Sequence, residues 1–121
     1  MGMYCKYILE KKLPDGTWDG DTIDTDCPPF YFPSKSSALF SWVSGFFKHP
    51  APLHKEPRGL PDDASPESRR LLEYSYDLCG VDWVSLDEVL SAGTMPEGYE
   101  DLWMFENARD AGYDRVVFFY D

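Results

Sequence analysis

The sequence predicts an α+β fold: a small antiparallel sheet that pairs an N-terminal hairpin with a C-terminal strand and carries three to four helices. Three observations lead there. The β-prone segments, residues 3–12 and 115–120, stand at opposite ends of the chain. Between them lie apolar segments of helical length with capping residues at their ends. Pro14-Asp15-Gly16 supplies a turn where the first strand must fold back.

Taken in order, residues 3–12 alternate roughly, with Tyr4, Lys6 and Ile8 on one side, and Trp18 opens the return strand. Residues 19–29 are Asp-rich, end in Pro28-Pro29 and read as loop. Phe30-Tyr31-Phe32-Pro33 is aromatic and expected to pack on the sheet. Ser34 to Ser37 offer caps for a helix from about Ser37 to Phe47. Leu39, Phe40, Trp42, Val43, Phe46 and Phe47 overfill one face of it. That helix is therefore either deeply buried or shows an aromatic edge to a partner.

Four prolines between 48 and 63 predict a long ordered loop. Ser65 then caps a helix with Pro66 at its first position, where the missing N–H costs nothing. It carries Leu71, Leu72 and Tyr76 and closes at Cys79-Gly80. Val81–Val84 is a short extended segment, and Ser85-Leu86-Asp87-Glu88 is a capping box opening a helix through Leu90. A last helix is expected from about Tyr99 to Ala111 with Gly112 as its C-cap. Arg115–Tyr120 is apolar nearly throughout, the pattern of a central strand covered on both faces. The helices are expected on one face of the sheet.

The 121 residues fit a single domain, 1–121. Hydrophobic content of 43% and aromatic content of 17% argue for a packed core rather than disorder. The formal net charge of −11 argues against direct binding to nucleic acid or to an anionic membrane surface. It is unevenly spread: residues 77–121 hold eleven acids against only Arg109 and Arg115, a net of −9. Cys5, Cys27 and Cys79 are odd in number and widely spaced, which fits reduced thiols. No signal-peptide pattern or membrane-length apolar run is visible, so a cytoplasmic protein is expected.

Four groups of residues bear on chemistry. Asp15, Asp19 and Asp26 fall at positions 1, 5 and 12 of a calcium-loop-like spacing, with Gly20 at position 6, and are weak metal candidates. The turn chemistry of the same stretch is the simpler account. Arg58, Asp62 and Asp63, with His49 and His54 nearby, could grip a polar ligand or serve a hydrolase; structurally, one Asp would cap a turn while Arg58 pairs with the other. Trp42, Trp83 and Trp103 are either core residues or ligand platforms. Glu97, Glu100, Asp101, Glu106 and Asp110 form an acidic stretch, either a solvated helix face or a surface complementary to a basic partner. No nucleophile motif and no glycine-rich phosphate loop occurs, and no cofactor is implied.

Several short motifs follow one another in a definite order along the chain. They are Met1-Gly2 with Glu10; Asp15-Gly16-Thr17-Trp18; Leu39-Phe40; Arg58 to Ser65 (R-G-L-P-D-D-A-S); Trp83 to Leu90 (W-V-S-L-D-E-V-L); and Arg115-Val116-Val117-Phe118. In this layout the chain resembles a family of small bacteriophage-encoded proteins, most of them uncharacterised. It departs from them at Met3-Tyr4-Cys5-Lys6 and at Gly80-Val81-Asp82, where relatives often carry histidine. The resemblance implies a phage accessory protein in the host bacterial cytoplasm. The leading expectation is a non-enzymatic protein that binds and inhibits a host protein or defence complex through an acidic, aromatic-rich surface. The alternative is a small-molecule binder for a nucleotide-type signal, built on Arg58 with Trp42 or Trp83. A third is an enzyme using Asp62, Asp63 and a histidine.

Overall fold

β4 (Arg115–Tyr120) lies at the centre of the sheet, and all six of its residues are buried. It pairs antiparallel with β1 (Cys5–Lys12) on one side and with β3 (Gly80–Ser85) on the other. β2 (Trp18–Thr22) completes the hairpin with β1, so the strand order is β2-β1-β4-β3. The structure, a computed structural model, describes residues 4–35, 37–44, 53, 58–75, 78, 80–96, 98–99 and 102–120. Pairing the two ends of the chain is what the sequence predicted.

The return strand runs further than its composition suggested, through Asp19-Gly20-Asp21-Thr22. β2 is an edge strand, and charged side chains at an edge discourage pairing with other chains without weakening the backbone ladder. The hairpin turn is closed by Leu13 N–H to Thr17 O at 2.8 Å, with Gly16 at φ 90, where glycine is at ease.

One face of the sheet presents Tyr7, Leu9, Val84, Val116, Phe118 and Tyr120. Three helices cover it: α1 (Ser37–Ser44), α3 (Leu86–Leu90) and α4 (Trp103–Asp110). Leu39, Phe40, Trp42 and Val43 of α1 are fully buried, which resolves the crowding of that helix in favour of the core. Phe40 stacks on Tyr120 at 4.3 Å, and Phe32 sits between Tyr7 and Phe105 at 4.9 and 5.3 Å. Each such ring contributes roughly 1.5–3 kcal/mol by leaving water. The expected helix continues through Gly45–Phe47, which fall outside the described residues.

The other face is also covered, which corrects the expectation of helices on one side alone. Ile8, Val117 and Phe119 pack against Leu60, Leu78, Val81, Trp83 and Leu71 of α2 (Pro66–Tyr74). A strand apolar on both sides needs cover on both.

The N-terminal caps of α2 and α3 follow the sequence, but α2 ends at Tyr74 with Ser75 as its C-cap, short of the expected Cys79-Gly80, and Gly80 opens β3. Ser65 caps α2 by accepting from Ser68 N–H, with Pro66 in the first turn, and Ser85–Glu88 form the capping box of α3. α4 starts at Trp103, later than expected, because Tyr99 N–H bonds Pro96 O in a turn containing Gly98 at φ 86. It ends in a Schellman motif: Gly112, at φ 95, donates to Arg109 O and Tyr113 donates to Ala108 O. Among the described residues no helix is long and apolar enough to cross a membrane.

Candidate functional site

Strand register sets Gly20, Glu10, Arg115 and Ser85 in one row across β2, β1, β4 and β3. Glu10 is fully buried and Arg115 nearly so, with Arg115 Nε donating to Glu10 Oε1 at 2.6 Å. The other carboxylate oxygen accepts from Ser65 N–H at 2.8 Å and Ser68 Oγ–H at 2.7 Å. Glu10 thus receives the first turn of α2, a position where a carboxylate also meets the positive end of the helix dipole. Gly20 allows this approach: a Cβ there would collide with Ser65 Oγ.

Arg115 extends the network outward. Its Nη1 donates to Asp63 Oδ1 at 2.9 Å and its Nη2 to Asp63 O at 3.3 Å, while Trp18 Nε1–H donates to Asp63 Oδ2 at 2.9 Å. The guanidinium lies 3.5 Å from the Trp18 ring centre and 5.4 Å from that of Trp83. Arg58 covers Trp83 at 4.7 Å and binds Glu88 through both terminal nitrogens, at 2.6 and 2.8 Å. The result is an alternating series of planar groups, Trp18, Arg115, Trp83 and Arg58, held by cation–π contact, by the bidentate Glu88 on Arg58 and by single oxygens of Glu10 and Asp63 on Arg115.

These residues wall an open cleft of about 500 Å³ lined by Arg58, Leu60, Pro61, Asp62, Asp63, Trp83 and Arg115. The hydrogen bond from Arg115 holds the Asp63 carboxyl below the usual carboxylate range. The hydrogen bond to Glu88 raises the Arg58 guanidinium further above neutral pH. Both arginines are therefore neutralised by carboxylates of the same chain. The carboxylate of Asp62 makes no hydrogen bond or ion pair among the described residues; its carbonyl accepts from Arg69 Nη2 at 2.6 Å.

A second surface lies on α4. Trp103, Glu106, Asn107 and Asp110 share one helix face by their spacing. Tyr31 packs on Trp103 at 5.2 Å, and Asn107 donates to Pro29 O at 3.4 Å. Tyr31 and Trp103 are 44% and 37% exposed. Glu106 and Asp110 are exposed and have no ion-pair partner among the described residues. Tyr31 also sits at φ 59, a costly conformation for a bulky residue, stabilised here by its N–H bond to Cys27 O.

Of the residues singled out in the sequence, Arg58, Asp62, Asp63 and Trp83 meet in the cleft, and Glu106 and Asp110 lie apart from it on α4. Glu97, Glu100, Asp101, His49 and His54 fall outside the described residues. One pairing is corrected: Arg58 pairs with Glu88 rather than with Asp62 or Asp63, while Ser65 caps the adjacent helix as expected. Trp42 is no ligand platform: it is fully buried and donates to Thr94 Oγ1 at 3.1 Å.

The calcium-loop spacing does not fold as a loop. Asp15 binds Thr17 within the hairpin turn, Asp19 lies on β2, and Asp26 receives Ser34 N–H. Among the described residues no group of three potential metal ligands occurs. Glu10, Trp18 and Arg115, central to the network, are not among the site residues singled out in the sequence, although all three lie in its short motifs. No protein-family model, no curated protein and no solved structure matches the chain.

Proposed function

We propose that the protein is a non-enzymatic binding protein that engages a basic surface of another protein through the acidic, aromatic face of α4. On the resemblance to bacteriophage proteins, the partner is a host component in the bacterial cytoplasm, such as a defence or nucleic-acid-handling complex, and binding inhibits it.

The observation that supports this reading most is the grouping of Trp103 and Tyr31 with Glu106 and Asp110. Half-exposed rings in contact offer rigid apolar area at low entropic cost. The two carboxylates beside them have no cation to satisfy them within the described residues, and they belong to the stretch of the chain with a net charge of −9. Such a surface attracts a basic one and repels nucleic acid directly. The test is capture from bacterial lysate at low and high salt, using wild type and the Glu106→Lys/Asp110→Lys variant. A protein retained at low salt by wild type and lost with the variant supports the reading. Equal retention by both contradicts it.

The small-molecule reading rests on a different observation, the cleft beside Trp83. A nucleotide phosphate would have to displace Glu88 from Arg58 or Asp63 from Arg115, which disfavours an anionic ligand there.

A further inference from the structure

We propose that the cleft beside Trp83 receives a guanidinium group, the arginine side chain of an extended peptide segment, at a site separate from the α4 face. Charge comes first. Around the cleft Arg58, Arg69 and Arg115 stand against the carboxylates of Glu10, Asp63, Asp82, Glu88 and the exposed Asp62, so the local balance is negative. A cation is favoured over an anion.

Shape and surface chemistry narrow the class. Trp18 and Trp83 already carry the guanidinium groups of Arg115 and Arg58 at 3.5–5.4 Å, so an incoming guanidinium would lie beside these planar pairs, not on a ring of its own. A guanidinium entering between Asp62 and this wall would find a carboxylate for its fork and apolar surface, from Leu60 and Pro61, for its stem. A compact, strongly hydrated ammonium uses such a surface less well.

The peptide context follows from a neighbouring cleft. It is about 630 Å³, is lined by Leu13, Trp18, Ala64 and Pro66 among others, and shares Asp63 with the first. The two clefts share Asp63 in their linings, and residues flanking the arginine would enter the second.

The four tryptophans make the test specific. The full chain, labelled with ¹⁵N, is titrated with acetyl-Gly-Arg-Gly-Pro-amide while the indole N–H resonances are followed. Saturable shifts of Trp83 and Trp18 are expected, with those of buried Trp42 and of Trp103 on α4 unmoved. Asp62→Asn, a change at an exposed side chain, is expected to weaken binding roughly five- to twentyfold. Replacing the arginine by lysine is expected to weaken it about threefold or more. Arginine amide alone should bind at least about threefold more weakly than the peptide, having no flanking contacts.

The proposal fails if Trp83 shows no saturable shift, if Asp62→Asn binds as wild type, or if the lysine peptide binds equally well. It also fails if inorganic pyrophosphate competes for the same shift. Equal affinity of arginine amide and the peptide would overturn the peptide assignment. Because Trp103 reports on the α4 face, failure here leaves the proposed protein-binding surface unaffected, and the converse also holds.

Discussion

Arg115 Nε meets Glu10 Oε1 at 2.6 Å from the neighbouring strand, 105 positions away, with Glu10 fully buried and Arg115 nearly so. A buried ion pair of this kind is weak evidence of stabilisation compared with an apolar pair of the same shape. Breaking it from one side is another matter, since the remaining charge is left without compensation. Arg115→Met is therefore expected to cost about 3–5 kcal/mol in urea unfolding. Adding Glu10→Met to that variant should recover a substantial part of the loss. Losses that simply add would show that the two charges are not coupled in the folded protein.

Glycine at position 20 is required by the close approach of Ser65 and, next to it, Ile8, not by its backbone angles. Gly20→Ala is expected to lower stability by about 1–3 kcal/mol through forced displacement of the α2 cap. Asp19→Ala, on the exposed neighbour, should stay within about 0.5 kcal/mol. Equal effects of the two substitutions in the same unfolding assay would contradict the close approach.

Asp63 gives acid sensitivity with a defined sign. Its carboxyl is held below the usual value by Arg115, so the folded state binds this proton less readily than the unfolded state. The stability it contributes is fully present above the unfolded pKa of about 3.9 and is lost as pH falls through the lower folded value. Unfolding free energies of wild type and Asp63→Asn should differ at pH 7 and converge below about pH 4. A constant difference across that range would contradict the assignment.

Tyr113 moves in the opposite direction. Burial and the 2.5 Å hydrogen bond it donates to Asp21 push its phenol up to about 12. Ultraviolet titration of the phenolate should show Tyr113 ionising near that value, and Asp21→Asn should bring it down. Stability from this contact is present below the unfolded tyrosine value of about 10 and is lost as pH rises towards 12.

The fold was legible because its signals are local. The Pro14-Asp15-Gly16 turn, the Ser65 and Ser85 caps and the apolar run of Arg115–Tyr120 each specify an element within a few residues. The candidate site was legible only in part, because its chemistry comes from pairing across the sheet. Glu10 looks in the sequence like a solvated strand residue; its burial depends on Arg115, Ser65 and Ser68, brought together by register. Arg58 has two carboxylates four and five residues on, yet the one that reaches it, Glu88, is 30 positions away. Asp63 is instead drawn to Arg115 and Trp18.

This geometry also alters the meaning of the Arg58–Ser65 motif. Its residues, with Glu10, Trp18, Trp83, Glu88 and Arg115, form one connected structural network that fixes the segment to the sheet. Glu10, Trp18, the Arg58–Ser65 segment, Trp83, Glu88 and Arg115 thus meet in space, while Leu39 and Phe40 lie in the core on the other face of the sheet. Substitutions within that network should be read first for folding, whereas Glu106, Asp110 and Trp103 are exposed and can be changed at little cost to stability.

The most direct measurement of the central claim is therefore comparative capture from bacterial lysate by wild type and by the charge-reversed Glu106→Lys/Asp110→Lys protein, after unfolding curves show the two equally stable. A host protein held by wild type at low salt, released at high salt and missing from the variant is the predicted result. The same protein retained equally by both would contradict an acidic α4 binding face.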